Sequence, residues 1–187
     1  MKILATAALL GWTAGCAVMD STIAINHDDP AVGARLASPR RFSLAAARSM
    51  RGDESAREGV KKNGFGMEGA SILTDPKPDQ IVSRALTVEL RAAGFEIASG
   101  APASIVVEIH QFFAEPEVGL FAGDVYAVVD ATVTVALDGE RTFKRRFTGI
   151  GKSTTLVFYQ KAIEGALNDF LTKSVPAIVT LAHPAGW

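Results

Sequence analysis

Apolar residues in the middle of the chain recur with two different periods, and the change from one to the other marks the elements. Over 80–93 the period is helical. At 100° per residue Ile81, Val82, Ala85, Leu86, Val88, Leu90 and Ala93 fill one broad arc, while Gln80, Ser83, Arg84, Thr87 and Arg91 fill the other. Pro78 and Asp79 suit the first turn, and Gly94 before Phe95 suits a left-handed end with an apolar contact. Beyond it the period falls to two. Residues 104–113 place Ile105, Val107, Ile109 and Phe113 on one face, and 125–137 place Val125, Val129, Val133, Val135 and Leu137 opposite Asp130, Thr132 and Thr134.

The same parity sets the next turn. Asp138-Gly139 leads into a third strand over 141–148 that carries Phe143 and Phe147. A two-residue loop would set Val135 against Thr142 and turn both phenylalanines away from the valine face. A three-residue loop over 138–140, or a bulge, sets Val135 against Phe143 and keeps one common core face, so this is the predicted connection.

The remaining pattern is weaker. Residues 21–26 alternate around Ile23 and Ile25 and read as a first strand ended by Asp28-Asp29-Pro30; 41–50 read as a second. Asn63-Gly64 is the signal for a two-residue type I′ hairpin between strands over 59–62 and 65–70. A last helix over 155–172 lines Tyr159, Ile163, Ala166, Leu167 and Phe170 against Lys161, Glu164, Asn168 and Thr172; Pro176 ends or kinks it and leaves LAHPAGW as a loose tail. The order of elements predicts an α+β two-layer sandwich, a mostly antiparallel sheet with two amphipathic helices on one face and a wetter face opposite.

The start of the chain fixes its address. MKILATAALLGWTAGC has one positive charge at Lys2, an apolar run over 3–10 and small residues before Cys16. This is a secretory signal peptide, too short to span a bilayer as a helix. Thr13-Ala14-Gly15-Cys16 resembles a bacterial lipobox, with Thr13 where that pattern favours leucine. In such a motif the cysteine is acylated and becomes the new N-terminus. The alternative is an ordinary signal cut near 14–17 that leaves the chain's one cysteine as an unpaired exported thiol. Two or three acyl chains anchor a protein durably without a spanning helix. Ala17 stands where a retention signal places aspartate, which in lipoproteins of this kind implies sorting to the outer membrane, facing the periplasm. The organisation expected is a lipoprotein signal peptide over 1–15, a tether and first strand over 16–30, one α+β periplasmic domain over 31–183 and a tail over 184–187.

Composition adds exclusions. Cutting 15 residues from 187 leaves 172, enough for one domain with a core, and losing Lys2 moves the net charge from −1 to −2. Nucleic acid is therefore not an expected partner. His27, His110 and His183 lie far apart and there is no second cysteine, so neither a metal site nor a cofactor is expected. The chain has no G-x-S-x-G elbow and no phosphate-binding G-x-x-x-x-G-K-[ST] loop, and a non-enzyme is the reading. GFGMEG at 64–69 spells a dinucleotide fingerprint, but a pyrophosphate needs a helix opening there. Pro76 and Pro78 leave room for none.

With the lipobox, GVKKNGFGMEGA ahead of a helix ending in AAGF, and a meander followed by a terminal helix, the chain resembles the YajG-like outer-membrane lipoproteins over about 16–182. That resemblance implies no catalytic residues and carries over Cys16 alone, as the acylated residue. It suits an outer-membrane-anchored, periplasm-facing interaction or structural module, contacting the membrane through its anchor and an envelope protein as partner. The alternative is a lipid- or glycan-binding accessory subunit of an envelope transport or assembly system, holding its ligand between sheet and helices.

Two further features stand out. EPEVGLFAGD carries Val118, Leu120 and Phe121 in an apolar link, either a contact for a partner or membrane or a segment folded back on the core. Glu89 and Arg145 each break an apolar pattern, and the expectation is either a partly buried ion pair or two side chains that snorkel from their faces. Arg141, Lys144, Arg145 and Arg146, with the arginines over 35–51, either meet lipid phosphates or, the more usual reading, form a solvated strand face that guards an edge; Lys61 with Lys62 either contact an anion or, more usually, are a solvated pair beside a turn.

Overall fold

The computed structural model describes residues 19–51, 57–63, 65–118, 123–137, 141–154 and 159–182. Among these described residues nine strands and two helices follow in the order β1 (Ser21–Ile23), β2 (Arg40–Leu44), β3 (Arg48–Ser49), β4 (Gly59–Lys62), β5 (Glu68–Thr74), α1 (Pro78–Ala92), β6 (Phe95–Ile97), β7 (Ala103–Val118), β8 (Gly123–Leu137), β9 (Arg141–Ser153) and α2 (Tyr159–Ala182). The architecture is the expected α+β sandwich.

The meander β7–β8–β9 is its spine, and its register follows the parity of the core residues. Val135 pairs with Phe143 and Leu137 with Arg141, which leaves three residues between the strands, as the phenylalanine positions require; that connection itself lies outside the described residues. The other edge of β7 is met in succession by β2, β3 and β4, all running parallel to it. β6 extends the sheet beyond β2, and β5 and then β1 extend it beyond β4. The strand expected over 41–50 is thus two short strands, with the backbone between them bonded to Ile105 O through Ala45 N and to Ser83 Oγ through Ala47 N.

Further local expectations need correction. First, Phe113 does not share the face of Ile105, Val107 and Ile109. Ile109 pairs with Ala131 and Gln111 with Asp130, so His110 is an extra residue that bulges from the strand. The bulge shifts parity, and Phe112 and Ala114 become fully buried instead.

Second, α2 does not stop at Pro176 but runs through it to Ala182, taking in the first two residues of the expected tail. The missing amide costs about 3 kcal/mol in a helix interior. Burial of Val175, Ile178, Val179 and Ala182 against the sheet offsets that at roughly 1.5–3 kcal/mol for each large side chain. Third, the β4–β5 connection is not a two-residue turn at Asn63-Gly64. Lys62 pairs with Glu68, and Phe65 belongs to the turn rather than to a strand. Asn63 Oδ1 accepts from the amides of Phe65 and Met67, both at 3.0 Å, and so stabilises the wider loop. The fourth correction concerns Glu89 and is given below with its partners.

One hydrophobic cluster joins both helices to the sheet. Leu86 and Leu90 of α1, Ile105, Ile109 and Phe112 of β7, and Ile163, Leu167, Phe170 and Leu171 of α2 are all fully buried. α1 ends as its sequence suggests: Gly94 has φ +98°, its amide bonds Arg91 O, and buried Phe95 follows.

Candidate functional site

The strand directions gather three features at one end of the sheet. β4 runs parallel to β7, so the β4–β5 tip points the same way as the end of β7 at Val118, where β8 returns from Gly123. β1 runs parallel to β5, with Ser21 opposite Ile72, so the chain enters β1 from the side of that tip. Asp20 Oδ1 accepts from Ser71 N at 2.7 Å, and Lys61 Nζ donates to Met19 O at 2.8 Å and to Ser21 Oγ at 2.6 Å. Lys61 thus holds the incoming chain, and Lys62 pairs with Glu115 at 3.2 Å. Neither is the simple solvated lysine that the sequence suggests. Cys16, Leu120 and Phe121 lie outside the described residues, and Val118 is described only in its backbone.

At the other end, where α2 continues past Pro176, a groove of about 420 Å³ opens to solvent. Val133, Val135, Phe143 and Phe147 form its floor, Ala177, Ile178 and Leu181 its helical wall, and Lys144 and Arg145 its rim. The Arg145 guanidinium sits 5.3 Å from the Phe147 ring centroid, a cation–π distance. An apolar trough with a cationic rim suits an apolar group that ends in an anion. Ala177, Ile178 and Leu181 escape a reading that ends the helix at Pro176; their continuation of the 3- and 4-residue spacing from Leu171 and Val175 is the signal that finds them.

Beside the groove, β9 has an outer edge that pairs with no other described strand. Asp169 Oδ2 accepts from Ile150 N at 2.9 Å, and Lys173 Nζ donates to Thr148 O at 2.9 Å, so two side chains of α2 occupy the groups an added strand would use. Burial raises the Asp169 carboxyl, but the bonds from Lys173 and from the Ile150 amide hold it below its usual value. On the opposite face Arg146 Nε donates to both carboxylate oxygens of Asp130, at 2.9 and 3.0 Å, and these bonds lower the Asp130 pKa against its partial burial. Lys144 pairs with Glu108 at 3.1 Å. The basic face is therefore neutralised in part by acids of the neighbouring strands.

Glu89 does not pair with Arg145. Its fully buried carboxylate accepts from His27 Nε2 at 2.7 Å, Ala31 N at 2.7 Å and Val32 N at 3.0 Å. The 27–32 segment folds over α1 to reach it, and Arg84 of α1 pairs with Asp28 alongside. A second internal polar pair brackets residues 52–56. Arg51 donates to Phe112 O and Arg57 O, both at 2.6 Å, while Glu58 accepts from Thr74 N at 2.8 Å. Burial lowers the Arg51 pKa and raises that of Glu58. These bonds bind backbone, and their role is to close the β4–β5–β7 junction. Tyr159 does the same from α2, donating to Val60 O at 3.0 Å, and burial pushes its phenol up to about 12.

Among the described residues no group of three or more His, Cys, Asp and Glu is placed to hold a metal ion, and no helix is long and apolar enough to cross a membrane. Residues 51–180 match the model of a family described as an uncharacterised lipoprotein. No curated protein matches the chain. Among solved structures, the crystal structure of protein XCC0632 from Xanthomonas campestris, of the family-model DUF330, is similar at 14% identity with a TM-score of 0.55. The match covers 85% of this chain and 92% of that one, a likeness of fold.

Proposed function

Because the chain belongs to this YajG-like family of uncharacterised lipoproteins, we propose that it is an outer-membrane-anchored lipoprotein, facing the periplasm, that works as a non-enzymatic interaction or structural module. Cys16 is the acylated residue, and Ala17 beside it directs the protein outward. The observation that carries the reading is the filled space between sheet and helices: Leu86, Ile105, Phe112, Phe170 and Leu171 are fully buried there. Such a domain works through its surfaces.

The Cys16→Ser variant is expected to leave the membrane pellet for the soluble periplasmic fraction, while the unsubstituted chain sediments with outer membranes in a sucrose gradient. Persistence of the variant in the outer-membrane fraction would refute the anchor. The groove over Phe143 favours one other reading, binding of an anionic amphiphile. Lipid in stoichiometric amount in the soluble Cys16→Ser protein, detected by mass spectrometry, would support it, and lipid-free protein would count against it.

A further inference from the structure

We infer that the β4–β5 tip is a second membrane contact, in which Phe65 and Met67 enter the lipid surface beside the acyl chains of Cys16. This rests on the reading of Cys16 as the lipid anchor and adds where the domain touches the bilayer and with which residues.

The tip exposes large apolar side chains next to the entry of the chain into β1. Phe65 is 90% exposed, Met67 60% and Met19 72%, three of the five exposed large apolar side chains among the described residues. The backbone beneath them is pinned. Asn63 N donates to Met67 O and Gly66 N to Asn63 O, both at 2.9 Å, while Asn63 Oδ1 holds the amides of Phe65 and Met67. The two side chains are thus presented by a preorganised turn and need little ordering on contact.

Lipid is favoured over a protein as the occupant by the position of the anchor. β1 enters from the tip side, Met19 lies against Lys61, and Lys61 pairs with Ala70 in the ladder just behind the turn. Cys16 is three residue steps from Met19, a span of at most about 11 Å, and Phe65 is four steps from Lys61, at most about 14 Å. The acyl chains and the exposed apolar residues therefore leave the domain at the same end, within reach of one interfacial layer. A tethered surface is present at high effective concentration, so even a small apolar contact is populated. Phenylalanine and methionine supply apolar area suited to the acyl boundary.

The test uses the full-length, membrane-extracted chain in vesicles of phosphatidylethanolamine and phosphatidylglycerol. Phe65→Cys is labelled with an environment-sensitive dye, the acylated Cys16 sulfur being blocked as a thioether. Thr142→Cys, exposed in the row of Ser104 and Ala136, serves as the reference because it lies roughly 30 Å along the sheet from the Gly59–Ala114 pairing. Quenching by headgroup-region spin-labelled lipid is expected to be several-fold stronger at 65 than at 142. Equal quenching in a chain of correct acylated mass would overturn the tip contact and leave the anchor standing; a chain without the acyl mass would overturn both. Strong quenching at 65 that depends on an added protein, and not on lipid alone, would assign the tip to a protein partner and overturn the inference.

Discussion

Replacing Gly151 with alanine is expected to lower stability by about 3 kcal/mol, at the upper end of overpacking effects. A Cβ on Gly151 would lie 1.9 Å from Ala162 O and 2.4 Å from Ala166 N, and one on Gly149 would lie 2.1 Å from Ala166 O and 2.4 Å from Phe170 N. These are backbone atoms of α2, so no rotamer change relieves the clash. The helix sits directly on β9 through small residues on both sides, and Gly165 continues the contact from the helix. To make room, α2 must lift from the sheet, which draws Ile163, Leu167, Phe170 and Leu171 out of the core they fill. For a domain of this size the loss corresponds to a fall of roughly 10 °C in Tm. Thermal unfolding followed by circular dichroism measures it, with Gly33→Ala, which meets nothing within 4 Å, as the control. A Gly151→Ala protein melting with the unsubstituted chain would mean that α2 slides freely over β9.

This contact also shows what could be read from the sequence and what could not. The register of the meander was legible because a single buried face must accept Val135, Phe143 and Phe147, and only one parity allows it. α1 was legible because its apolar arc is broad and its ends carry Pro78 and Gly94. Pro176 misled because its local cost is fixed by chemistry, whereas the burial that offsets it depends on a sheet formed elsewhere in the chain. His110 gave no signal, since one extra residue in a strand changes parity without changing composition. The same holds for the parallel strands 40–49, which are short and half-exposed and take their shape from the edge of β7. Of the candidate site, Cys16 rests on its motif alone and lies outside the described residues. Phe65 and Met67 were hidden inside a glycine-rich run that spells a nucleotide fingerprint; Gly69 lies within β5, and the helix α1 begins only at Pro78, after that strand.

Truncating Glu89 to alanine is expected to cost about 3 kcal/mol, because it leaves three part-buried donors without their acceptor. The carboxylate is unusual in being fully buried while its partners are two backbone amides and His27 rather than a fixed cation. The loss should fall short of three full desolvation penalties, each about 1–3 kcal/mol, since the 27–32 segment lies over the domain's surface and its amides can turn to water. The Glu89→Gln variant should be intermediate: the amide's carbonyl oxygen still accepts one backbone N–H, but its NH₂ then faces a second donor. The failure is therefore expected to be local, and its consequence follows from chain order. The segment that Glu89 holds lies between β1, which follows the proposed anchor residue Cys16 in the chain, and the rest of the domain, and it leads to Arg35. In Glu89→Ala the strap opens, trypsin cuts at Arg35, and most of the domain is released from the membrane at protease levels that leave the unsubstituted protein attached. Release at the same rate from both proteins would show that the strap is held by Arg84–Asp28 and the β1–β5 pairing instead.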